Sequence, residues 1–450
     1  MLQRKARAFP KRQTQGGFAC FPPGTVSPTQ ATIAAGGRQA VTDKPDAAPN
    51  RSSALEILLI FLRLGSTSFG GPIAHIGYFR AEFVQRRRWV SEGGFADLVA
   101  LCQFMPGPAS SQLGMALGLL RGGPLGMITA WIGFTLPSAL MMLAFAYGVQ
   151  ALGDVGNAAW LKGLKLVAVA VVAQAVWGMA QTLTPDRDRA TVAVAAALIA
   201  LMVPSALGQI GAIAMGAIVG LTLLPRSDLR MRGDHVPLGL TLHRGVALVC
   251  LFLFVFLLVG LQPLAAMTSN QTIHLIDAFY RAGALVFGGG HVVLPLLQAA
   301  VVPTGWVTND AFLAGYGAAQ AMPGPLFTFA AFLGAVMQPA PNGWLGGLIA
   351  TIAIFAPSFL IAVGILPFWD TLRRQMPVQA ALRGVNAAVV GVLLAALYTP
   401  VWTAAMHTPA DFGLTAVAFL ALTLWAVSPW IVVVGGAVAA TGLAALGVAL

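Results

Sequence analysis

The chain has 450 residues, of which 58% are hydrophobic and only 9% charged, and 26 Lys and Arg against 15 Asp and Glu give a net charge of +11. A soluble domain carries about a quarter charged residues, so a water-soluble globular fold is excluded. The apolar runs are continuous, as in VALVCLFLFVFLLVGL from Val246, which excludes a membrane β-barrel and predicts helices that cross about 30 Å of hydrocarbon.

Residues 1–52 form a basic tail (Arg4, Lys5, Arg7, Lys11, Arg12, Arg38, Lys44, Arg51) rich in Pro, Gly, Thr and Gln, without apolar periodicity. Such a composition predicts a disordered cytoplasmic segment. Its basic start is followed by no signal-peptide core, and nothing supports nucleic-acid binding. Cys20, Cys102 and Cys250 are scattered, suggesting neither a metal site nor a disulfide framework.

From residue 53 the sequence is written twice. FLRLGSTSFGG at Phe61 matches FYRAGALVFGG at Phe279, and WVSEGGF at Trp89 matches WVTNDAF at Trp306. QFMPGPASSQ at Gln103 matches QAMPGPLFTF at Gln320, FTLPS ending at Ser138 matches FAPS ending at Ser358, and KGLKLVAVAVV at Lys162 matches RGVNAAVVGV at Arg383. Order is kept and the offset stays between 217 and 221 residues, the signature of duplication. The expected organisation is a first transport repeat over 53–225, a cytoplasmic loop and linker transmembrane helix over 226–268, and a second transport repeat over 269–450. Basic residues such as Arg80, Arg86–Arg88, Arg121, Arg187, Arg189 and Arg244 fall on one side if each F-G-G and P-G-P tips a re-entrant hairpin. The counterpart of QRRRWV is VVPTGWV, without arginines, so the two repeats are expected to be inverted relative to each other. Full crossing by every segment, about thirteen in all, also gives inverted halves, but strands Arg86–Arg88 outside. The predicted fold is thus an all-α polytopic membrane protein of two homologous inverted helical repeats with broken or re-entrant helices, joined by a linker helix. Its N-terminus is expected to be cytoplasmic and its C-terminus external.

Irregular backbone at membrane depth survives only inside protein or beside a wet cavity. Pro106 and Pro323 end helices, Gly107 and Gly324 allow unusual dihedrals, and Pro108 and Pro325 suit a first helical turn. The following amides, with Ser110 and Ser111 in one copy and Thr328 in the other, form an anion site if the two breaks converge. A structural kink is the competing reading, and Gln103 and Gln320 flank both breaks. Gly70-Gly71 and Gly288-Gly289 read equally as site or as tight packing. Arg63 and Arg281 offer guanidinium groups to an oxyanion, or pair with Glu56 and Asp277. Lys165 and Asn386 are matched candidates near a helix start. His75, His291 and Asp97 are candidates for proton coupling; for the histidines a satisfied structural role competes, and for Asp97 and Glu92 helix capping. Neither a catalytic constellation nor metal or cofactor residues are visible, so no enzyme is expected, although a membrane-bound enzyme stands as the alternative from another class.

FGGPIAHIGYFRAEFVQRRRWVSEGGF, QFMPGP, FGGGHVVLPLLQAAVV, AAQAMPGPLFTFAAFLGAV, PSFL and GVNAAVVGVLLAALYTPVW resemble the chromate ion transporter family in its long two-domain form, from about Glu56 to Trp402. The resemblance implies chromate efflux across the inner membrane, driven by the membrane potential or proton gradient and conferring resistance. Sulfate, or another oxyanion, is the alternative substrate, the lipid bilayer is the surroundings, and a homodimer is left open. The family's first motif usually continues P-G-P-N-S-T-Q, whereas here Ala109, Ser110, Ser111 and Gln112 follow Pro108. A tetrahedral dianion suits helix N-termini, hydroxyls and amides irrespective of the family. With no P-loop in the chain, secondary transport is expected.

Overall fold

A computed structural model describes residues 52–151, 158–224, 243–287, 290–372 and 375–448. The basic tail up to Arg51, the loop arginines 226, 230, 232, 373 and 374, and the candidate glycines Gly288 and Gly289 lie outside the described residues.

Helix α1 (Ala54–Thr67) starts where the Ser53 hydroxyl accepts the Glu56 amide, and stops before the first F-G-G. After the break comes α2 (Gly71–Phe79), with Pro72 in its first turn. A wider turn over Arg80–Arg86 leads to α3 (Glu92–Phe104), capped by Ser91. Met105, ahead of Pro106, is extended at ψ 147°, as a residue before proline must be. α4 (Ala109–Ala151) is broken at Gly123, whose φ is 63°. α5 (Ala159–Leu183), α6 (Arg187–Met202) and α7 (Ala206–Thr222) complete the first set. α8 (Arg244–Ala266) follows and, among the described residues, has no counterpart ahead of the first repeat.

The second set repeats this plan. α9 (Gln271–Ala284) precedes the second F-G-G, α10 (Val293–Val301) follows it, and α11 (Asn309–Ala321) is capped by Thr308, the counterpart of Ser91. Met322 is extended at ψ 142°, matching Met105. α12 (Phe329–Val336) and α13 (Gly343–Ile365) correspond to the two parts of α4. α14 (Met376–Ala396), α15 (Pro409–Thr423) and α16 (Pro429–Ala445) correspond to α5, α6 and α7.

Among the described residues, five helices are long and apolar enough to cross a membrane: α4, α5, α8, α13 and α14, the last two with their short extensions. The helices before the breaks are different. α1 and α9 have 14 residues, and α3 and α11 have 13. At 1.5 Å per residue these reach about 20 Å, short of the hydrocarbon thickness, so each needs its partner across the break to fill the depth.

The sets interlock rather than sit side by side. α5 packs on α15 and α16 of the other set, while its counterpart α14 packs on α6 and α7 of the first. Both crossings use glycine. A Cβ on Gly163 would collide with the Gly436 carbonyl, and at the equivalent crossing one on Gly384 would collide with the Gly216 carbonyl. Small residues let helix backbones approach in lipid, where no hydrophobic drive separates protein from solvent. Each pair recurs with its partners exchanged, as a two-fold relation requires. The linker helix α8 packs on α9 and α13 and leaves Phe252, Phe256 and Val259 on an exposed face.

Candidate functional site

The two P-G-P turns do not bond to their own repeat's F-G-G break; each bonds to the other's. The Gly107 amide donates to the Val286 carbonyl at 2.7 Å, and the Gly324 amide donates to the Ser68 carbonyl at 2.9 Å. Ser68 and Val286 are counterparts, each immediately before the Phe of F-G-G. Gly107 at φ 119° and Gly324 at φ 94° adopt backbone closed to other L-residues, which lets the amides reach across. Serines from the repeated P-S motif close each turn from the opposite repeat. A Cβ on Gly107 would lie 2.6 Å from Ser358 Oγ, and one on Gly324 would lie 2.9 Å from Ser138 Oγ. The breaks therefore build two matching junctions between repeats.

A histidine ties the junctions together. His75 Nε2 donates to the Ser68 carbonyl at 3.2 Å, and Nδ1 lies 3.2 Å from Ser110 Oγ. Ser68 already holds the second P-G-P turn, and Ser110 stands two residues past the first. Pro72, in the first turn of α2, meets Gly290, its own counterpart, with a Cβ position at 3.4 Å. A residue touching its own equivalent lies beside the two-fold axis, so the axis runs through the hairpin tips.

The interior here is polar in an apolar protein. Ser68, Ser110, Ser111, Gln112, Thr135, Ser138, Thr328 and Ser358 are all buried. Ser138 donates to the Thr135 carbonyl, Thr328 to the Pro325 carbonyl, and Gln112 Nε2 to the Pro106 carbonyl at 2.6 Å. Among the described residues, the hydroxyls of Ser68, Ser111, Thr135 and Ser358 have no hydrogen-bond partner. An unmatched buried hydroxyl costs about 1–3 kcal/mol, so each of the four is an expensive feature of the fold. Beside the second P-G-P turn a cavity of about 520 Å³ opens, lined by Ser66, Phe69, Pro137, Met322, Pro323 and Trp430.

The charged candidates lie elsewhere. Arg63 is exposed in a groove of about 790 Å³ with Thr67, Tyr78, Glu82, Arg86 and Arg87. It does not pair with Glu56, which instead meets Arg87 at 3.3 Å. Arg281 lines a separate cavity of about 200 Å³ and is gripped by both oxygens of Asp277, at 2.5 and 2.6 Å. No P-G-P residue lines either cavity. Lys165, buried on α5, pairs with Asp310 on α11 at 2.8 Å, and Lys162 pairs with the buried Asp411 at 3.2 Å, so both lysines join the repeats. Asn386 and Asp97 are half-buried on α14 and α3. Glu92 forms an ion pair with Arg80 while Ser91 does the capping. His291 hydrogen-bonds the Tyr316 hydroxyl at 2.8 Å. Gln103 is exposed and Gln320 half-buried. Gly70 (φ 98°) and Gly71 (φ 75°) form the turn into α2.

Ser68, Ser138 and Ser358, which the structure places at the junctions, were not among the candidates the sequence offered. The signal was present for two of them, since FTLPS and FAPS recur at matching places. Ser68 shows nothing locally, because its carbonyl and not its side chain is the feature used.

A family model described as chromate transporter matches residues 55–221 and 273–441. The chromate transport protein of Pseudomonas aeruginosa is 29% identical across 77% of this chain and 81% of its own length. The probable chromate transport protein of Synechococcus elongatus is 29% identical across 75% and 82%, and the chromate transport protein of Cupriavidus metallidurans is 25% identical across 76% and 81%. No solved structure matches the chain.

Proposed function

Because this chain belongs to the chromate transporter family, we propose that the chromate it carries binds at the junctions between its repeats and leaves the cell across the inner membrane, conferring chromate resistance. The observation that carries this reading is the pair of cross-repeat bonds, Gly107 to Val286 and Gly324 to Ser68, together with buried hydroxyls that have no protein partner among the described residues. Chromate is a tetrahedral dianion whose four oxygens accept hydrogen bonds from several directions. Ser111, Thr135 and Ser358 supply hydroxyl donors, and the first turn of α4 supplies amides at the positive end of a helix dipole. The Gly107 and Gly324 amides are engaged across the repeats, so their part is to fix the turns rather than to touch the ion.

Outward movement has a ready driving force. An inside-negative potential acts on two charges, worth roughly 4.6 kcal/mol per 100 mV. The transporter then needs only to expose the junctions alternately to the two faces. Interlocked inverted repeats suit this, since a rocking motion exchanges one junction's environment for the other's. Arg63, exposed and paired with no carboxylate among the described residues, gathers anions at the mouth of its groove. The N-terminus lies in the cytoplasm and the C-terminus outside, in line with the arginines of the Arg80–Arg88 segment and their absence from Val301–Val307.

Everted membrane vesicles test the reading. Chromate should accumulate inside them when energised, an uncoupler should abolish the accumulation, and sulfate in excess should compete weakly. Accumulation in right-side-out vesicles only would reverse the direction. Single cysteines placed at Arg87 and Thr304 should label from opposite faces; labelling from one face would remove the inversion.

A further inference from the structure

Resting on the junction as the chromate site, we propose that His75 couples one proton to the bound oxyanion by reversing the hydroxyl of Ser110. A backbone carbonyl only accepts, so the bond to Ser68 requires the proton on Nε2. In the neutral ring Nδ1 is then a bare lone pair, and Ser110 must point its hydroxyl hydrogen at it. In that state Ser110 shows only lone pairs to its surroundings and repels an anion.

A proton added to Nδ1 changes this. The ring now donates from both nitrogens, to the Ser68 carbonyl and to Ser110 Oγ. The Ser110 hydrogen, displaced from Nδ1, turns toward the ligand beside Ser111, and the ring adds a positive charge. One proton is taken up and no other bond is made or broken. Proton and oxyanion therefore favour each other's binding, and by linkage the effect is reciprocal.

The surroundings leave this proton undisturbed by other charges. The ring's partners are Ser68, Ser110 and, edge-on at 5.2 Å, Phe134. Of the elements around it, α1 carries Glu56 and Arg63 and α2 carries Tyr78, all of which line the lateral groove. The wider turn after α2 carries Arg80, paired with Glu92, and Glu82, paired with Arg86. α4 carries Arg121 near its break and α11 carries Asp310, paired with Lys165. None of these shares a hydrogen bond or ion pair with the ring among the described residues. The relay is also built once: the counterparts of His75 and Ser110 in the second repeat are Val293 and Phe327, which cannot perform it. The linkage is one proton per chain, at the junction where the Ser68 carbonyl holds Gly324.

The test uses the purified full chain and measures chromate affinity between about pH 4 and pH 8, a range that runs from well below an ordinary imidazole's titration to above it. Wild type should tighten as pH falls by up to about tenfold per unit beyond the ligand's own protonation. His75→Gln keeps both hydrogen bonds of the neutral ring but takes no proton, so its affinity should follow the ligand's protonation alone. Ser110→Ala should flatten the profile likewise. In weak buffer, wild type should take up more protons per chromate bound than His75→Gln. Equal profiles and equal uptake in wild type and His75→Gln overturn the relay. If His75→Gln does not fold, Ser110→Ala decides, since an unflattened profile there overturns it too. A relay that fails while Ser358→Ala weakens chromate binding leaves the site standing; wild-type binding in all three variants removes the site itself.

Discussion

The amide of Gly324 in the second repeat donates to the carbonyl of Ser68 in the first, across 2.9 Å, and a matching bond runs from Gly107 to Val286. Each break in the chain is thereby completed by the other repeat. A backbone donor left unpaired in lipid costs several kcal/mol, so neither half is expected to be stable in a membrane by itself.

Gly324→Ala should destabilise more than a surface change of the same size. The residue sits at φ 94°, and its new methyl would crowd Ser138 Oγ at 2.9 Å and two backbone carbonyls at 3.2 Å. Thermal unfolding of detergent-solubilised protein should show a loss of about 1–3 kcal/mol. Gly413→Ala, at a helical glycine with open space around it, should be near neutral.

Ser358→Ala separates fold from function. Its hydroxyl is fully buried without a protein partner, so replacing it with a methyl should leave stability unchanged or slightly raised. Chromate transport should nevertheless fall by about tenfold, the loss of one hydrogen bond to a charged ligand. Parallel loss of transport and melting temperature would make the serine structural.

Arg281 and Arg63 should part company despite matching in sequence. Arg281→Ala leaves the Asp277 carboxylate, 16% exposed, without its two-oxygen partner, and should cost about 1–3 kcal/mol. Arg281→Ala with Asp277→Ala should recover most of that. Arg63→Ala touches no ion pair, so stability should hold while the KM for chromate rises. A double-mutant cycle with parallel uptake kinetics checks both.

Acid should loosen the segment around Glu82. Burial pushes its carboxyl up, but hydrogen bonds and charge from Arg87 and Arg86 outweigh this and hold it below its ordinary value of 4.5. A depressed folded value means the stabilisation is fully present above pH 4.5 and is lost as pH falls through the lower folded value. Wild type should therefore lose protection of Arg80–Trp89 amides from hydrogen exchange as pH falls below 4.5, and Glu82→Gln should show weaker protection with no such step.

Sequence by itself determined the membrane class, the duplication and the place of the F-G-G and P-G-P breaks, though not of the break at Gly123 in α4. Those features are local: hydropathy is summed over a window, and proline and glycine act on their own backbone. It did not show the helix caps: Glu92 and Asp97 were the capping candidates, whereas Ser91 caps α3 and Thr308 caps α11. Only the tertiary structure decided which break meets which. Pairing Gly107 with Val286 rather than with Ser68 depends on how two interlocked helix sets cross at Gly163–Gly436 and Gly216–Gly384, which no spacing along the chain encodes. Tertiary packing also settled the charges. Glu56 is helically in phase with Arg63, yet Arg87 takes it, and Lys165 finds Asp310 from the other repeat. An ion pair is chosen by distance in space, and in a helical membrane protein that distance is set by packing between segments far apart in the chain.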